Sequence, residues 1–319
     1  MALLDVQNLT TYYFTRSGPV KAVDNINFQV NRGEALGLVG ESGCGKTTVA
    51  LSILRILPPE GRIVTGKILY KGEDLVKLKD DEMRRRIRWK EISLVFQGAM
   101  NALHPLYKIE DQIADAILAH QPKIEKKEVK KRIKKLLEMV GIDPSRASSY
   151  PHELSGGMKQ RVVIAMALAC DPKLLIADEL GTALDVIVQA QILRMMKELK
   201  KRINLGMIFI SHDLSMVAEI CEKCAVMYAG KIVEYGDIVT IFHKPVHPYT
   251  KGLIESFPNI KSDVIRIVSI PGSPPNLLRP PSGCRFHPRC PYAMKICKRK
   301  EPDLIEVAEN HFVACHLSK

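Results

Sequence analysis

The chain has 319 residues, 46% of them hydrophobic, and a formal net charge of +12; this length suits one large domain with an appendage or two modest domains. Its longest apolar run has nine residues, against the roughly 18 that a membrane-spanning helix needs, and the N-terminus lacks a charged region followed by an apolar core, so we expect neither a membrane span nor a secretory signal. The positive charge is concentrated in residues 84–90 and 123–135, where it favours either solvated helix faces or an anionic partner such as nucleic acid, an acidic membrane surface or a nucleotide.

Two strands are predicted at the start of the chain. Residues 3–14 are rich in strand-forming side chains, and residues 22–30 alternate apolar with polar side chains. An aromatic residue ahead of a phosphate-binding loop can stack on an adenine face. Tyr13 is the first candidate for this role and Tyr12 the second, with ordinary packing in the sheet as the alternative.

Residues 40–47, with the sequence G-E-S-G-C-G-K-T, fit the phosphate-binding pattern G-x-x-x-x-G-K-[ST]. They follow a predicted buried strand, residues 35–39, and precede a predicted helix over residues 47–57 that two prolines stop. The glycines let successive N–H groups point at one spot, and the helix N-terminus adds partial positive charge there. Lys46 would reach the outer phosphates, and the Thr47 hydroxyl would bind Mg²⁺. The candidate nucleotide-binding residues of this phosphate loop are Gly40, Ser42, Gly43, Cys44, Gly45, Lys46, Thr47 and Thr48.

The middle of the chain changes from strands to helices. Strands are predicted over residues 67–70 and 91–96, and Gln97 follows the second of them, at the edge where open α/β sheets hold their ligands. Residues 98–153 then show a helical pattern, with one apolar face formed by Val129, Ile133, Leu136, Leu137 and Val140. We interpret this region, extended to about residue 160, as an inserted helical subdomain.

A second anion-binding geometry is predicted at Ser155, Gly156 and Gly157, which open an apolar helix over residues 162–169. Free N–H groups and a capping hydroxyl at a helix start can hold an anion, although the serine could simply be an N-cap.

An apolar strand over residues 173–179 ends in two carboxylates, Asp178 and Glu179, whose position after buried residues needs an explanation. Asp178 can hold the water shell of a metal ion, and Glu179 can orient and deprotonate an attacking water. After a helix over residues 186–202, another apolar strand, residues 207–210, ends before His212. Because several predicted strands end in polar residues beside the phosphate loop, we expect His212 to be functional.

The C-terminal cysteines Cys284, Cys290, Cys297 and Cys315 have the spacing C-x₅-C-x₆-C-x₁₇-C. They lie in a segment with few core residues, and such a segment usually needs a bound metal or cross-links to be stable. Without an export signal we expect a reducing compartment, which favours metal ligation or burial over disulfides. Thiolate ligation suits zinc or an iron–sulfur cluster, and the spacing is wider than in structural zinc sites. We therefore expect a [4Fe–4S] cluster, with zinc, unligated cysteines or a disulfide as alternatives. The spare candidate ligands are His287 and His316, and Cys221 and Cys224 are interpreted as buried.

Over roughly residues 1–236 the sequence resembles the ATP-binding subunit of an ABC transporter. The residues that carry this resemblance are, in chain order, Tyr13, the phosphate loop, Gln97, the L-S-G-G-M-K-Q stretch of residues 154–160, Asp178-Glu179, the A-L-D of residues 183–185 and His212. The Ser-Gly-Gly element is the specific one, because other phosphate-loop ATPases lack it. The stretches 247–250, 270–275 and 283–291 resemble the tail of the dipeptide, oligopeptide and nickel uptake transporters. One departure is Leu180-Gly181, where the family usually has Pro-Thr. The resemblance therefore does not extend to the rigidity of the loop after Glu179 or to communication between the two ATP sites of a dimer.

The resemblance implies an α/β fold: an ABC-type phosphate-loop ATPase with a RecA-like core, an antiparallel β subdomain and an inserted helical subdomain, plus a small cysteine-rich C-terminal extension. It divides the chain into an ATPase domain (1–236), a linker with a helix (237–270) and a cysteine-rich segment with an iron–sulfur site (271–319). It also implies roles for individual residues. Tyr13 would stack on adenine, Thr47 and Gln97 would coordinate Mg²⁺, and Asp178 would hold that ion through water.

The same resemblance makes Glu179 the general base and places His212 at the γ-phosphate. Ser155, Gly156 and Gly157 would serve the ATP of a partner subunit, which is either a related chain or a second copy, and Asp185 completes the candidate nucleotide-binding residues. The expected function is to power a membrane permease at the cytoplasmic face of the cell membrane, with an extracellular substrate-binding protein acting indirectly and no nucleic acid as partner.

Three alternatives remain beside a peptide importer. The cargo could be nickel, which transporters of the same family carry. The chain could be a soluble ABC-type ATPase acting on nucleic acid, which its charge would suit, although such proteins commonly carry two ATP modules and only one phosphate loop is found. The cysteine tail could be a redox-sensing or metal-responsive module that gates the ATPase.

Overall fold

The computed structural model describes residues 2–181, 184–256 and 270–318. The strands are β1 Leu4–Thr15, β2 Gly18–Val30, β3 Ala35–Val39, β4 Gly61–Tyr70, β5 Glu73–Asp74, β6 Ile92–Val95, β7 Leu174–Asp178, β8 Gly206–Ser211, β9 Lys223–Tyr228, β10 Lys231–Asp237, β11 Ile305–Ala308 and β12 His311–Val313. The α-helices are α1 Lys46–Leu54, α2 Asp80–Glu82, α3 Ile109–His120, α4 Lys126–Met139, α5 Gly156–Ala167, α6 Val186–Ile203, α7 Leu214–Ile220, α8 Ile238–His243 and α9 Pro248–Glu255. In this described part of the chain, no helix is both long and apolar enough to cross a bilayer.

Most predicted elements are present within a few residues, but α1 is shorter than expected. It ends at Leu54 instead of continuing to Leu57. Arg55 takes a left-handed φ of 52°, and the N–H groups of Arg55 and Ile56 donate to Ser52 O and Leu51 O at 3.1 and 3.0 Å. This pair of bonds is a Schellman C-cap, which glycine usually signals. Because an arginine occupies the position, no glycine indicates the helix end.

The first of two compact units comprises residues 30–35 and 77–209. In it β6 and β7 are parallel neighbours, β8 lies beside β7, and all five residues of β7 are buried. The predicted helical insert is present as α3 and α4. Helix α4 buries Val129, Ile133, Leu136 and Leu137 and exposes its lysines, so the basic residues of this helix form a solvated face.

Helix α5 begins at Gly156, within the Ser-Gly-Gly stretch predicted to open it, and ends at Ala167. Ser155 is its N-cap, and the Met158 N–H donates to Ser155 Oγ at 3.3 Å. The Ser-Gly-Gly element therefore forms the first turn of the helix.

The second unit comprises residues 2–29, 36–76 and 210 onward, as far as they are described. It contains an antiparallel sheet with the strand order β2-β1-β4-β5. A further run of paired strands has the order β11-β12-β10-β9-β3, in which β3 and β9 are parallel and the other pairs are antiparallel. The phosphate loop and α1 follow β3, so this unit positions the predicted phosphate site.

Candidate functional site

The predicted site residues form two sets, one in each unit. The second unit holds Tyr13, residues 40–48 and His212, and the first unit holds Gln97, residues 155–157, Asp178, Glu179 and Asp185.

The phosphate loop turns on glycines with positive φ: Gly40 at 151°, Gly43 at 78° and Gly45 at 109°. A Cβ added at Gly40 would lie 2.1 Å from Met227 O, and one added at Gly45 would lie 2.1 Å from Ala22 O. Any larger residue would therefore displace the backbone at these two positions. Gly45 is also the N-cap of α1 and offers no capping side chain, an arrangement that suits an anion at the helix N-terminus.

Lys46 lies over the phosphate loop with only 6% of its surface exposed. Its Nζ donates to Gly40 O at 2.7 Å and to Glu41 O at 3.0 Å, and it lies 3.7 Å from Cys44 Sγ. Burial raises the pKa of the Cys44 thiol, so this thiol is uncharged at neutral pH. The ammonium group of Lys46 thus lies within the phosphate loop, where the carbonyls of Gly40 and Glu41 accept its hydrogen bonds.

Tyr13 lies beside the first turn of α1. Its hydroxyl is 3.1 Å from Thr48 Oγ1, and a Cβ added at Gly61 would lie 2.9 Å from its ring. Tyr12 is placed elsewhere: burial and the neighbouring Asp24 raise its pKa. Of the two candidate tyrosines, Tyr13 is therefore the one that contacts the phosphate-loop helix.

His212 follows the end of β8 in the second unit and is exposed. The next residue, Asp213, caps α7 by accepting a bond from Ser215 N at 2.8 Å. The strand end and the helix cap on either side fix the backbone at His212 and leave its imidazole at the surface.

The first unit brings Gln97 and Glu179 together. Asp178, the last residue of β7, is 2% exposed, and Glu179 follows with a φ of 50°, a left-handed conformation that is uncommon outside glycine. Gln97 Nε2 donates to Glu179 Oε2 at 2.6 Å. The predicted amide and the predicted carboxylate base are thus hydrogen-bonded to each other.

Two further predicted residues of this unit are helix caps. Ser155 caps α5, and Ser155 and Gly156 are exposed. Asp185 caps α6, with Val188 N donating to its Oδ1 at 2.9 Å. A Cβ added at Gly157 would lie 2.6 Å from Val188 Cγ1, so the start of α5 packs closely against the start of α6 and requires glycine.

The loop after Glu179 carries the unusual Leu180-Gly181. Leu180 is 2% exposed, and Gln189 Nε2 donates to Gly181 O at 2.7 Å and to Leu184 O at 3.1 Å. Thr182 and Ala183 lie outside the described residues. Both described ends of this loop are therefore tied to α6.

The prediction of an iron–sulfur cluster in the tail is wrong. Within residues 2–181, 184–256 and 270–318, no group of three or more His, Cys, Asp or Glu side chains is placed to hold a metal ion, and the same finding excludes zinc at the four cysteines. All eight cysteines lie in the described residues and none of them forms a disulfide, which excludes the disulfide alternative. Burial raises the pKa of Cys284 to about 11 and also raises the pKa of Cys290 and Cys315.

The physical reason for this error is that the tail is held in place by other interactions. Strand β12 pairs with β10, and His311 Nε2 lies 2.7 Å from Glu234 Oε1 in the buried interior. Arg285 pairs with Asp24, and Phe286 is 2% exposed. Strand pairing, the contact between buried His311 and Glu234, the Arg285–Asp24 ion pair and the buried Phe286 hold the tail in place of the expected metal.

Three residues at the phosphate loop were missed from the sequence: Glu41, Tyr249 and Arg289. Arg289 forms a two-pronged ion pair with the Glu41 carboxylate, and the Tyr249 hydroxyl accepts a bond from the Glu41 N–H. Tyr249 and Arg289 lie in two stretches that carried the resemblance to peptide transporters, and this was the only signal available.

Two families match this sequence: one described as ABC transporter, over residues 23–181, and one described as oligopeptide/dipeptide transporter, C-terminal region, over residues 233–297. The chain is 45% identical to the dipeptide transport ATP-binding protein DppD of Caldanaerobacter subterraneus subsp. tengcongensis, over 99% of this chain and 97% of that protein. It is 48% identical to the oligopeptide transport ATP-binding protein OppD of Bacillus subtilis, over 98% and 87% of the two chains. A solved dimeric structure of an ATP-binding cassette, in a post-hydrolysis state bound to ADP and Pi, is similar with a TM-score of 0.65 and 26% identity, over 74% of this chain and 98% of the other.

Proposed function

Because the chain belongs to the family of ATP-binding subunits of peptide ABC transporters, we propose that it hydrolyses ATP to power the import of di- or oligopeptides. The observation that carries this proposal is that one chain contains both the transporter ATPase region, residues 23–181, and the peptide-transporter C-terminal region, residues 233–297. Its core has the fold of an ATP-binding cassette. The C-terminal match favours transport over action on nucleic acid, and the peptide relatives favour peptides over nickel.

The phosphate loop of the second unit would hold the phosphates of ATP. The positive-φ turns at Gly43 and Gly45 suit a backbone whose N–H groups converge on an anion. Lys46, held against two loop carbonyls, supplies the positive charge that the phosphates need. Tyr13, hydrogen-bonded to Thr48, would stack on the adenine.

Glu179 would act as the general base. The hydrogen bond from Gln97 orients its carboxylate, which would take a proton from water as the water oxygen attacks the γ-phosphorus and the bond to ADP breaks. His212, exposed after β8, would contact the γ-phosphate. Most of the catalysis in such a reaction comes from positioning and charge stabilisation, and little from covalent chemistry.

The residues proposed to hold Mg²⁺ fit the chemistry of that ion. Mg²⁺ prefers oxygen ligands and is usually bound through one or two carboxylates together with substrate phosphates and water. Thr47, Gln97 and Asp178 offer a hydroxyl, an amide and a carboxylate oxygen, and Asp178 is 2% exposed, where a carboxylate needs compensation. When bound, the ion would neutralise charge on the outer phosphates.

Hydrolysis would require two ATP-binding subunits. Ser155 and Gly156 are exposed at the start of α5, and we propose that they act with Gly157 and Asp185 on ATP held by the partner, which is a related chain or a second copy. The dimeric cassette to which this chain is similar supports such a partner. ATP would join the subunits, and hydrolysis would let them part.

That cycle would drive a membrane permease between its two access states, with Gln97 and the helical insert passing the motion on. The subunit would work as a peripheral protein at the cytoplasmic face of the cell membrane. An extracellular substrate-binding protein would deliver the peptide and take part only indirectly.

The proposal is tested by phosphate release from the transporter complex purified through a tag on this chain. Lys46→Ala should lower the turnover by about 10²–10³, as expected when one preorganised charged donor is removed from a reaction site. The control is Lys67→Ala, which removes an exposed lysine of β4 in the same unit and should leave turnover unchanged. Equal turnover in wild type and Lys46→Ala would mean that this chain does not hydrolyse the ATP.

A further inference from the structure

Glu41 is the residue of the phosphate loop at which the C-terminal part of the chain makes contact. Its carbonyl accepts from Lys46 Nζ at 3.0 Å, its N–H donates to Tyr249 Oη at 2.9 Å, and its carboxylate accepts from Arg289 Nη1 and Nη2 at 2.6 and 2.9 Å. We call Glu41, Tyr249 and Arg289 the loop brace. All three polar groups of Glu41 are engaged, one by the phosphate-binding lysine and two by residues more than 200 positions away.

Arg289 is held in one orientation by several acceptors. Besides Glu41, its Nε donates to Pro271 O at 2.7 Å, and its guanidinium lies over the Tyr228 ring at 5.7 Å. Its side chain is only 5% exposed, against 26% for Glu41. The hydrogen bonds to Glu41 raise the pKa of the guanidinium, so Arg289 is always charged. A planar, two-pronged pair of this kind fixes geometry as well as charge.

Tyr249 is fixed by an aromatic cluster. Its ring centroid lies 4.6 Å from that of Tyr228 and 5.4 Å from that of Phe286, and the residue is fully buried. The backbone N–H of Tyr249 donates to His247 Nδ1 at 3.0 Å, and burial lowers the pKa of His247 to about 3. His247 is therefore a neutral acceptor at any ordinary pH, and the phenol of Tyr249 is a fixed partner for the loop.

A second arginine of residues 283–291, Arg285, is linked to the phosphate loop through the turn at Ala229 and Gly230. Arg285 donates to Ala229 O and pairs with Asp24, and the neighbouring Gly230 N donates to Cys44 O in the phosphate loop at 2.9 Å. Residues 283–291 thus contact the phosphate loop directly through Arg289, and Arg285 supports the turn that also bonds to this loop.

We propose that Arg289 is a positioning residue for ATP binding, which acts on Lys46 and the phosphates through Glu41. This inference rests on the proposed function and assigns a role to the C-terminal region in the ATP site of the same chain. Glu41 places a carboxylate inside a loop that receives a polyanion, and like charges at short range repel strongly where solvent is limited. Arg289 neutralises that carboxylate and holds the Glu41 carbonyl where it supports Lys46.

The test measures the dissociation constant for ATP by titration calorimetry on the full-length chain. Arg289→Gln should raise this constant about tenfold, within the range of coupling between contacting charged groups. It leaves the Glu41 charge uncompensated. The matched control is Arg279→Gln, which removes the same charge from an exposed position of the tail and should change the constant by less than about twofold, within the ordinary variation of surface substitutions.

A double variant separates this role from a purely structural one. Glu41→Gln combined with Arg289→Gln removes the repelling carboxylate and leaves two amides that can still bond, so it should restore most of the lost affinity. If Arg289 served only its contacts to Pro271 and Tyr228, the double variant would bind ATP as weakly as Arg289→Gln or more weakly.

Arg289→Lys covers the case in which the glutamine variant does not fold. It keeps the charge and loses the two-pronged geometry. Its ATP affinity should therefore be lower than that of wild type and, where Arg289→Gln folds, higher than that of Arg289→Gln. Wild-type ATP affinity in Arg289→Gln or Arg289→Lys, or no recovery in the double variant, overturns the inference. Failure of the wild-type chain to bind ATP would instead overturn the proposed function.

Discussion

Replacing Glu179 with glutamine is expected to lower ATP turnover by about 10²–10⁴, the range for loss of a positioned general base, while ATP still binds. The amide has nearly the shape of the carboxylate and can still accept the bond from Gln97 Nε2. It cannot take a proton from the attacking water. The measurements are phosphate release by the purified transporter complex and the ATP dissociation constant of the full-length subunit.

The control for Glu179→Gln is Glu138→Gln, which neutralises an exposed carboxylate of α4 in the same unit. This variant should retain wild-type turnover. Wild-type turnover in Glu179→Gln would show that another group accepts the proton, and the assignment of the base would be wrong.

Replacing Ser155 with arginine is expected to abolish hydrolysis and leave ATP binding by the isolated subunit intact. Ser155 is exposed at the N-terminus of α5, so a long cationic side chain there blocks the surface proposed to meet the partner's ATP. Loss of the cap on Met158 N costs only about 1 kcal/mol, which is too little to unfold the unit. The measurements are phosphate release by the complex and ATP titration of the subunit alone.

Ser155→Thr is the matched control, because it keeps a hydroxyl that can cap α5. It should retain both hydrolysis and ATP binding. If Ser155→Arg removed ATP binding by the isolated subunit, Ser155 would serve the ATP of its own chain, and the role across the dimer would be wrong.

The parts of the fold that were predictable from sequence depend on neighbouring residues. Strand β3, the phosphate loop and the start of α1 form a continuous stretch whose glycines and apolar run specify it locally. The same holds for β7, which is apolar until it ends in carboxylates, and for the apolar face of α4. In these stretches the period of apolar side chains and the turn chemistry agree with the final structure.

The parts that were not predictable depend on contacts between distant residues or on an unusual local choice. The ion pair of Arg289 with Glu41 joins residues 248 positions apart, and that of Arg285 with Asp24 joins residues 261 positions apart. No local pattern encodes such partners, so the sequence analysis assigned no role to either arginine and attributed the stability of the tail to its cysteines. The end of α1 was missed because Arg55 takes the left-handed conformation in place of a glycine.

The most direct test of the proposed function is uptake of a labelled dipeptide or oligopeptide by vesicles that contain the complete transporter, with ATP supplied on the side of this subunit. The proposed function predicts peptide accumulation that requires ATP and is lost when this chain carries Lys46→Ala. Accumulation of nickel without peptide, or peptide uptake that Lys46→Ala leaves unchanged, would contradict it.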